Sequence, residues 1–122
     1  MQTFREFVEQ LNKKTVDDVL DKFIPFCKDY LGLKDPDHPA IQTITGDDSR
    51  EMKSFGCWNG EKIKLNVDGR HPIDVCRTLA HELVHCAKGH TNGEDGSDDE
   101  NEANALAGVI LRKFGRANPD LF

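Results

Sequence analysis

The sequence predicts an α+β fold, from the way its apolar residues repeat. At both ends of the chain they recur at helical spacing, as in Phe4, Phe7, Val8 and Leu11, and again in Ala103, Ala107, Ile110 and Phe114. In the middle they alternate, with Ile63, Leu65 and Val67 set against Lys62, Lys64 and Asn66. Between alternating segment and last helix, the stretch from Ile73 to His90 contains no proline and reads as a further helix. The chain has 122 residues, enough for one domain over 1–122 with one modest core.

Thr3 is placed to cap a first helix, and Thr15 a second, with Asp17 and Asp18 in its first turn, where negative charge is favoured. The second carries Val16, Val19, Leu20, Phe23, Ile24, Cys27 and Leu31 on one face; Pro25 should kink or break it, and Gly32 ends it. Residues 34–40 hold two prolines and read as loop, Ile41 to Thr45 as a short strand, and Asp47 to Arg50 as a polar turn. Met52 to Trp58 and Glu61 to Val67 flank Asn59-Gly60, a hairpin signal, which predicts a small antiparallel sheet with one wet face. Asp68-Gly69 turns the chain into the next helix, which starts near Pro72 and ends at Gly89. Residues 89–99 (GHTNGEDGSDD) read as a polar, acidic loop without the spacing of a calcium-binding loop. A last helix over Asp98 to Phe114 turns Ala103, Leu106, Ala107, Ile110, Leu111 and Phe114 inward.

Composition narrows the partners. A hydrophobic share of 37% with 31% charged residues suits a globular protein, and a net charge of −6 without a basic cluster argues against nucleic acid. No apolar run approaches the roughly 20 residues of a membrane span. The N-terminal MQTFREFVEQ lacks the character of a signal peptide, so a cytoplasmic location is expected. The four cysteines, Cys27, Cys57, Cys76 and Cys86, form no CxxC pair and are expected to be reduced and buried.

The chemistry concentrates in His81-Glu82-Leu83-Val84-His85. On a helix, residues i and i+4 share a face, so both imidazoles can close on one zinc ion. Glu82 then stands where its carboxylate can reach a water on that metal, the layout of a zinc-dependent peptidase. Apart from Glu82 the motif core is uncharged, and a glutamate among Leu, Val and Ala would otherwise be a costly burial.

A catalytic zinc takes three protein ligands and keeps one position open, so a third ligand is required. His90 follows His81 by one residue fewer than the metzincin pattern demands. Cys57 is an upstream candidate, in the manner of peptide deformylases. Asp99, Glu100 and Glu102 open the last helix; at about 100° per residue, Glu100 lies roughly 50° from the centre of its apolar face and Glu102 roughly 110°. Asp99 is as well placed as Glu100 but shorter and nearer the helix end, so Glu100 is the preferred ligand and Glu102 the fallback.

Glu100-Asn101-Glu102-Ala103-Asn104 resembles the third-ligand helix of several gluzincins, including the radiation-response and phage-repressor-cleaving regulators. That resemblance implies a zincin-like domain in which Glu100 binds zinc and Asn104 steadies a histidine ligand. Over about the last 55 residues the chain also looks like small peptidases of tailed bacteriophages. The stretches that carry this are Arg70-His71-Pro72, Arg77 to His85, Glu100 to Gly108 and Leu111 to Gly115. The implied activity is hydrolysis of a peptide or protein substrate, with His81, His85 and Glu100 on zinc and Glu82 as general base. An extended peptide could add to the edge of the small sheet, and His71, Tyr30, Arg77 and His90 are candidate oxyanion donors. The rival expectation is a zinc-stabilised binding or structural module that cleaves nothing; such a site needs no general base at Glu82.

Overall fold

The computed structural model describes residues 4–52, 54–89 and 97–119, with side chains from Val16 onward except that of Ser97. Helix α1 spans Phe4–Tyr30, strand β1 Ala40–Ile44, helix α2 Gly46–Glu51, strand β2 Gly56–Trp58 and strand β3 Lys62–Asn66. Helix α3 spans Pro72–Lys88 and helix α4 Ser97–Ala117. The architecture is α+β, four helices with one three-stranded sheet among the described residues. None of these helices is long and apolar enough to cross a membrane.

The N-terminal segment departs from the expected pair of helices. A single α1 runs through Thr15 and through Pro25. A cap at Thr15 would need non-helical backbone, and the helical period continues across it. Pro25 is exposed, while Phe23 and Cys27 on either side are fully buried, and that burial carries the helix past the lost hydrogen bond. The expected Thr3 cap lies outside the described residues. Beyond α1, the buried Lys28 ammonium donates to Pro36 O and Pro39 O, both at 3.2 Å, and so pins the loop that leads into β1.

The sheet is mixed, which corrects the expected antiparallel one. Its order is β1-β3-β2: β2 and β3 form the predicted antiparallel hairpin, whereas β1 pairs with β3 in parallel, from Ala40↔Lys62 to Ile44↔Asn66. Parallel neighbours need a crossover of a dozen or more residues, and 45–61 supply it by placing β2 on the far side of β3. Within that crossover, Gly46–Glu51 is a short helix where a turn was expected, and β2 is confined to Gly56–Trp58. The hairpin turn is held by Asn59 Oδ1, which accepts from the N–H groups of Glu61 and Lys62 at 2.9 Å, with Gly60 at φ 92°.

Ile63, Leu65 and Val67 face the core as the alternation requires, but Asn66 on the opposite register is also buried. Its side chain accepts from Ser49 Oγ at 2.7 Å and from the Asp68 N–H at 3.2 Å, and donates to Ser49 O at 3.3 Å. Satisfied in this way, a buried amide carries no penalty, and α2 is tied over the end of β3.

One core joins α1, β2, β3, α3 and α4. Phe114 packs edge-on against Phe23 (centroids 5.0 Å apart, 87° between planes) and against Phe26 (5.3 Å). Cys27 and Cys76 are fully buried, whereas Cys57 and Cys86 are only partly so. Burial pushes the Cys27 and Cys76 thiols up to about 12, with each other's proximity adding to the effect at Cys27. Because these folded values lie above the unfolded ones, the stability they contribute is complete below about pH 8.5 and falls as pH rises toward 12. Denaturant midpoints should therefore decline through that window. At about pH 8, an alkylating reagent should leave both thiols untouched until the chain unfolds; rapid native labelling of either would contradict the packing.

Candidate metal centre

Helix α3 is bounded by local signals on both sides. His71 Nδ1 accepts from the Ile73 N–H at 3.1 Å as N-cap, Pro72 occupies the first turn, and Gly89 ends the helix in the left-handed region at φ 70°. Its inner face buries Val75, Cys76, Leu79, Ala80, Leu83 and Val84, which fixes the rotation of the helix. Helix α4 lies against it, with Ala103 and Ala107 buried; their small side chains let the two helices approach closely.

This packing brings His81, His85 and Glu100 together. His81 Nε2 and His85 Nε2 are 3.0 Å apart, and Glu100 places Oε2 3.1 Å from the first and Oε1 3.0 Å from the second. Among the described residues these three form the only group of histidine, cysteine and acidic side chains able to hold a metal ion. Tetrahedral zinc with bonds of about 2.0–2.1 Å separates its ligand atoms by roughly 3.3–3.4 Å, so the observed spacings need to open by only a few tenths of an ångström. The donor set is of the right chemical kind as well. His81 Nδ1 lies 2.9 Å from Asn104 Oδ1, an acceptor that places the ring proton on Nδ1 and leaves the Nε2 lone pair facing the centre.

Glu82 is buried next to this group. The N–H of Trp58 donates to its carboxylate, while its Oε2 is buried without any hydrogen-bond partner. Burial pushes the carboxyl above the usual carboxylate range; His81 opposes that shift, Glu100 adds to it, and the Trp58 N–H opposes it. A buried carboxylate oxygen left unpaired is costly, and such an orphan marks a place where a further donor is expected.

Strand β2 runs along α3 beside Glu82. Hydrogen bonds join Asn66 N to Phe55 O at 2.9 Å and Asn59 N to Lys62 O at 3.3 Å, with Cys57 opposite Lys64 between them. By the antiparallel alternation, Gly56 and Trp58 turn their peptide groups to the outer edge. Two of those groups are already engaged, the Trp58 N–H by Glu82 and the Gly56 carbonyl by Ser54 Oγ at 2.9 Å. Gly56 itself is a steric requirement: a Cβ there would stand 2.7 Å from Thr78 Cγ2 and 3.2 Å from Glu82 Cγ. Gly56→Ala should cost about 1–3 kcal/mol by overpacking, read as a lower denaturant midpoint at unchanged slope. An unchanged midpoint would mean that β2 does not pack on α3 as described.

The remaining sequence candidates fall elsewhere. Glu102 and Asp99 share the start of α4 with Glu100 but are not in the three-residue group, nor is Cys57 on β2. His71 is committed as the N-cap, ten residues before His81 and so about 15 Å along the helix. Arg77 is exposed and leans toward Asp74 at 4.0 Å, and Tyr30 lies under Lys113 near the far end of α4. His90 lies outside the described residues. The reading of the sequence missed the Trp58 N–H at Glu82 and the Arg70 guanidinium. Arg70 donates to Asn66 O at 2.9 Å, Asp74 O at 3.1 Å and Thr78 Oγ1 at 2.8 Å. No local pattern announces a main-chain donor brought in by a strand, and Arg70 entered the sequence reading only within the Arg70-His71-Pro72 stretch, with no role assigned to it. No protein-family model, curated protein or solved structure matches the chain.

Proposed function

We propose that this chain is a zinc-dependent peptidase with a zincin-like arrangement, in which His81, His85 and Glu100 hold the metal and Glu82 is the general base. One observation carries the reading: three ligand atoms converge from two helices beside a buried glutamate whose Oε2 has no partner. A purely structural metal site has no use for that glutamate. Zinc, when bound, supplies the Lewis acidity that activates water and polarises the scissile carbonyl.

The protein's own groups supply the rest. Asn104 holds His81 in the tautomer that presents Nε2. The Trp58 N–H anchors one side of the Glu82 carboxylate, which leaves Oε2 to take a proton from the attacking water and deliver it to the leaving amine. An extended peptide laid along β2 meets the Gly56 N–H and the Trp58 carbonyl, the two outer-edge groups that Glu82 and Ser54 leave available.

The test is metal analysis of the purified chain together with a proteome-wide cleavage screen, wild type against Glu82→Gln. Bound zinc and cleavage products present only with the wild type support the reading. Zinc in a closed four-ligand sphere, with identical screens, would replace it with a non-catalytic module.

A further inference from the structure

Phe55 stands out on this surface. It is 62% exposed, one of two large hydrophobic side chains that the described surface displays openly. Isolated exposed apolar residues are ordinary, but this one is held in place on three counts. Its carbonyl accepts from the Asn66 N–H at 2.9 Å, so its backbone extends the β2–β3 ladder. Its ring lies 4.3 Å from the Arg70 guanidinium carbon, a cation–π contact. That guanidinium is itself fixed by hydrogen bonds to β3 and α3. One face of the ring is thus backed by an immobilised cation, and the side chain is presented to solvent as a rigid apolar surface.

Its position relates it to the metal centre. The next residue, Gly56, approaches Thr78 and Glu82 so closely that a Cβ would touch both. Arg70 bonds Thr78, and Thr78 precedes Glu82 by one helical turn on the same face of α3. Glu82, Thr78, Arg70 and Phe55 are therefore linked contact by contact, and Phe55 precedes Trp58, whose N–H donates to Glu82, by three residues, about 10 Å of extended chain. Successive residues of an extended peptide are about 3.3 Å apart, so a peptide along β2 would bring a side chain two to three positions from the cleaved bond onto that ring.

We propose that Phe55, backed by Arg70, is a specificity-determining platform that takes an aromatic side chain of the peptide substrate two to three residues from the scissile bond. The proposal rests on the peptidase reading, and it names a substrate class for that site. The exposed ring offers stacking and edge-on contact, which favour an aromatic over an aliphatic partner. The fixed guanidinium behind it keeps the ring from turning away.

The experiment uses the full zinc-loaded chain and blocked hexapeptides of alanine and serine, each carrying one phenylalanine at a different position. Wild type should prefer peptides with the aromatic residue two or three places from the cleaved bond. Phe55→Ala should lower kcat/KM for those peptides by about tenfold, chiefly through KM, while cleavage of the aromatic-free parent peptide changes less than about twofold. Phe55→Tyr should retain the preference. Zinc content and thermal midpoint are measured on every variant, which separates a recognition role from a structural one. A preference that survives intact in Phe55→Ala overturns the platform. Absence of cleavage by the wild type would instead overturn the peptidase reading. In that case the same peptides, titrated against wild type and Phe55→Ala, still decide the platform: equal affinity rejects it, and weaker binding of the aromatic peptides to Phe55→Ala supports it.

Discussion

The Glu82→Gln chain is expected to keep its zinc and lose cleavage by about 10²–10⁴-fold, the usual contribution of a positioned general base. The substitution preserves shape. The amide oxygen can still accept from the Trp58 N–H, and a neutral side chain is cheaper than a carboxylate in a site that buries Glu82 and leaves Oε2 without a partner. Thermal stability should therefore be unchanged or higher, which separates a catalytic defect from a folding one. The measurements are zinc content, thermal midpoint and turnover on any peptide the wild type cleaves. Turnover within tenfold of wild type would place the base elsewhere, and loss of zinc would make Glu82 part of the metal's own support.

His81→Ala is expected to abolish metal retention through dialysis. The two Nε2 atoms lie 3.0 Å apart and Glu100 reaches one with each of its oxygens, at 3.1 and 3.0 Å, so removing the His81 imidazole leaves His85 and Glu100 facing a gap. Loss of a partner that only orients a ligand costs roughly 10–100-fold in metal affinity. Asn104→Ala, which removes the acceptor at His81 Nδ1, sets that scale within this protein, and His81→Ala should exceed it. Zinc titration of the three chains gives the order directly. Near-wild-type affinity in His81→Ala would overturn the ligand assignment.

Features that depend on neighbouring residues were legible in the sequence. Pro72 and Gly89 mark the ends of α3, Asn59-Gly60 marks the hairpin, and the i, i+4 spacing of His81 and His85 puts both on one face. The apolar stripe of α4 also points to Glu100, because the stripe that packs on α3 sets which acidic residue at the helix start can reach the histidines. What could not be read comes from chain paths. The parallel pairing of β1 with β3 depends on where the crossover lays β2, and nothing within β1 distinguishes a parallel from an antiparallel partner. Asn66 reads as a solvent-facing position by alternation, and only α2 folding over it makes it a buried hub. Thr15 and Pro25 read as breaks because local preference favours a break at each, and the core across Phe23 and Cys27 overrides it at Pro25.

The aromatic cluster at the far end of α4 bears on the chemistry although it touches none of it. Phe114, set edge-on between Phe23 and Phe26, lies fourteen residues from Glu100, about 21 Å along the helix axis. That end is one of two supports, since Ala103 and Ala107 also pack the helix on α3 near Glu100. If the α3 packing alone were to loosen, a tilt of about 5° at the cluster would carry the Glu100 carboxylate through about 2 Å. Through these three phenylalanine rings, α1 shares with α3 in positioning the helix that carries Glu100.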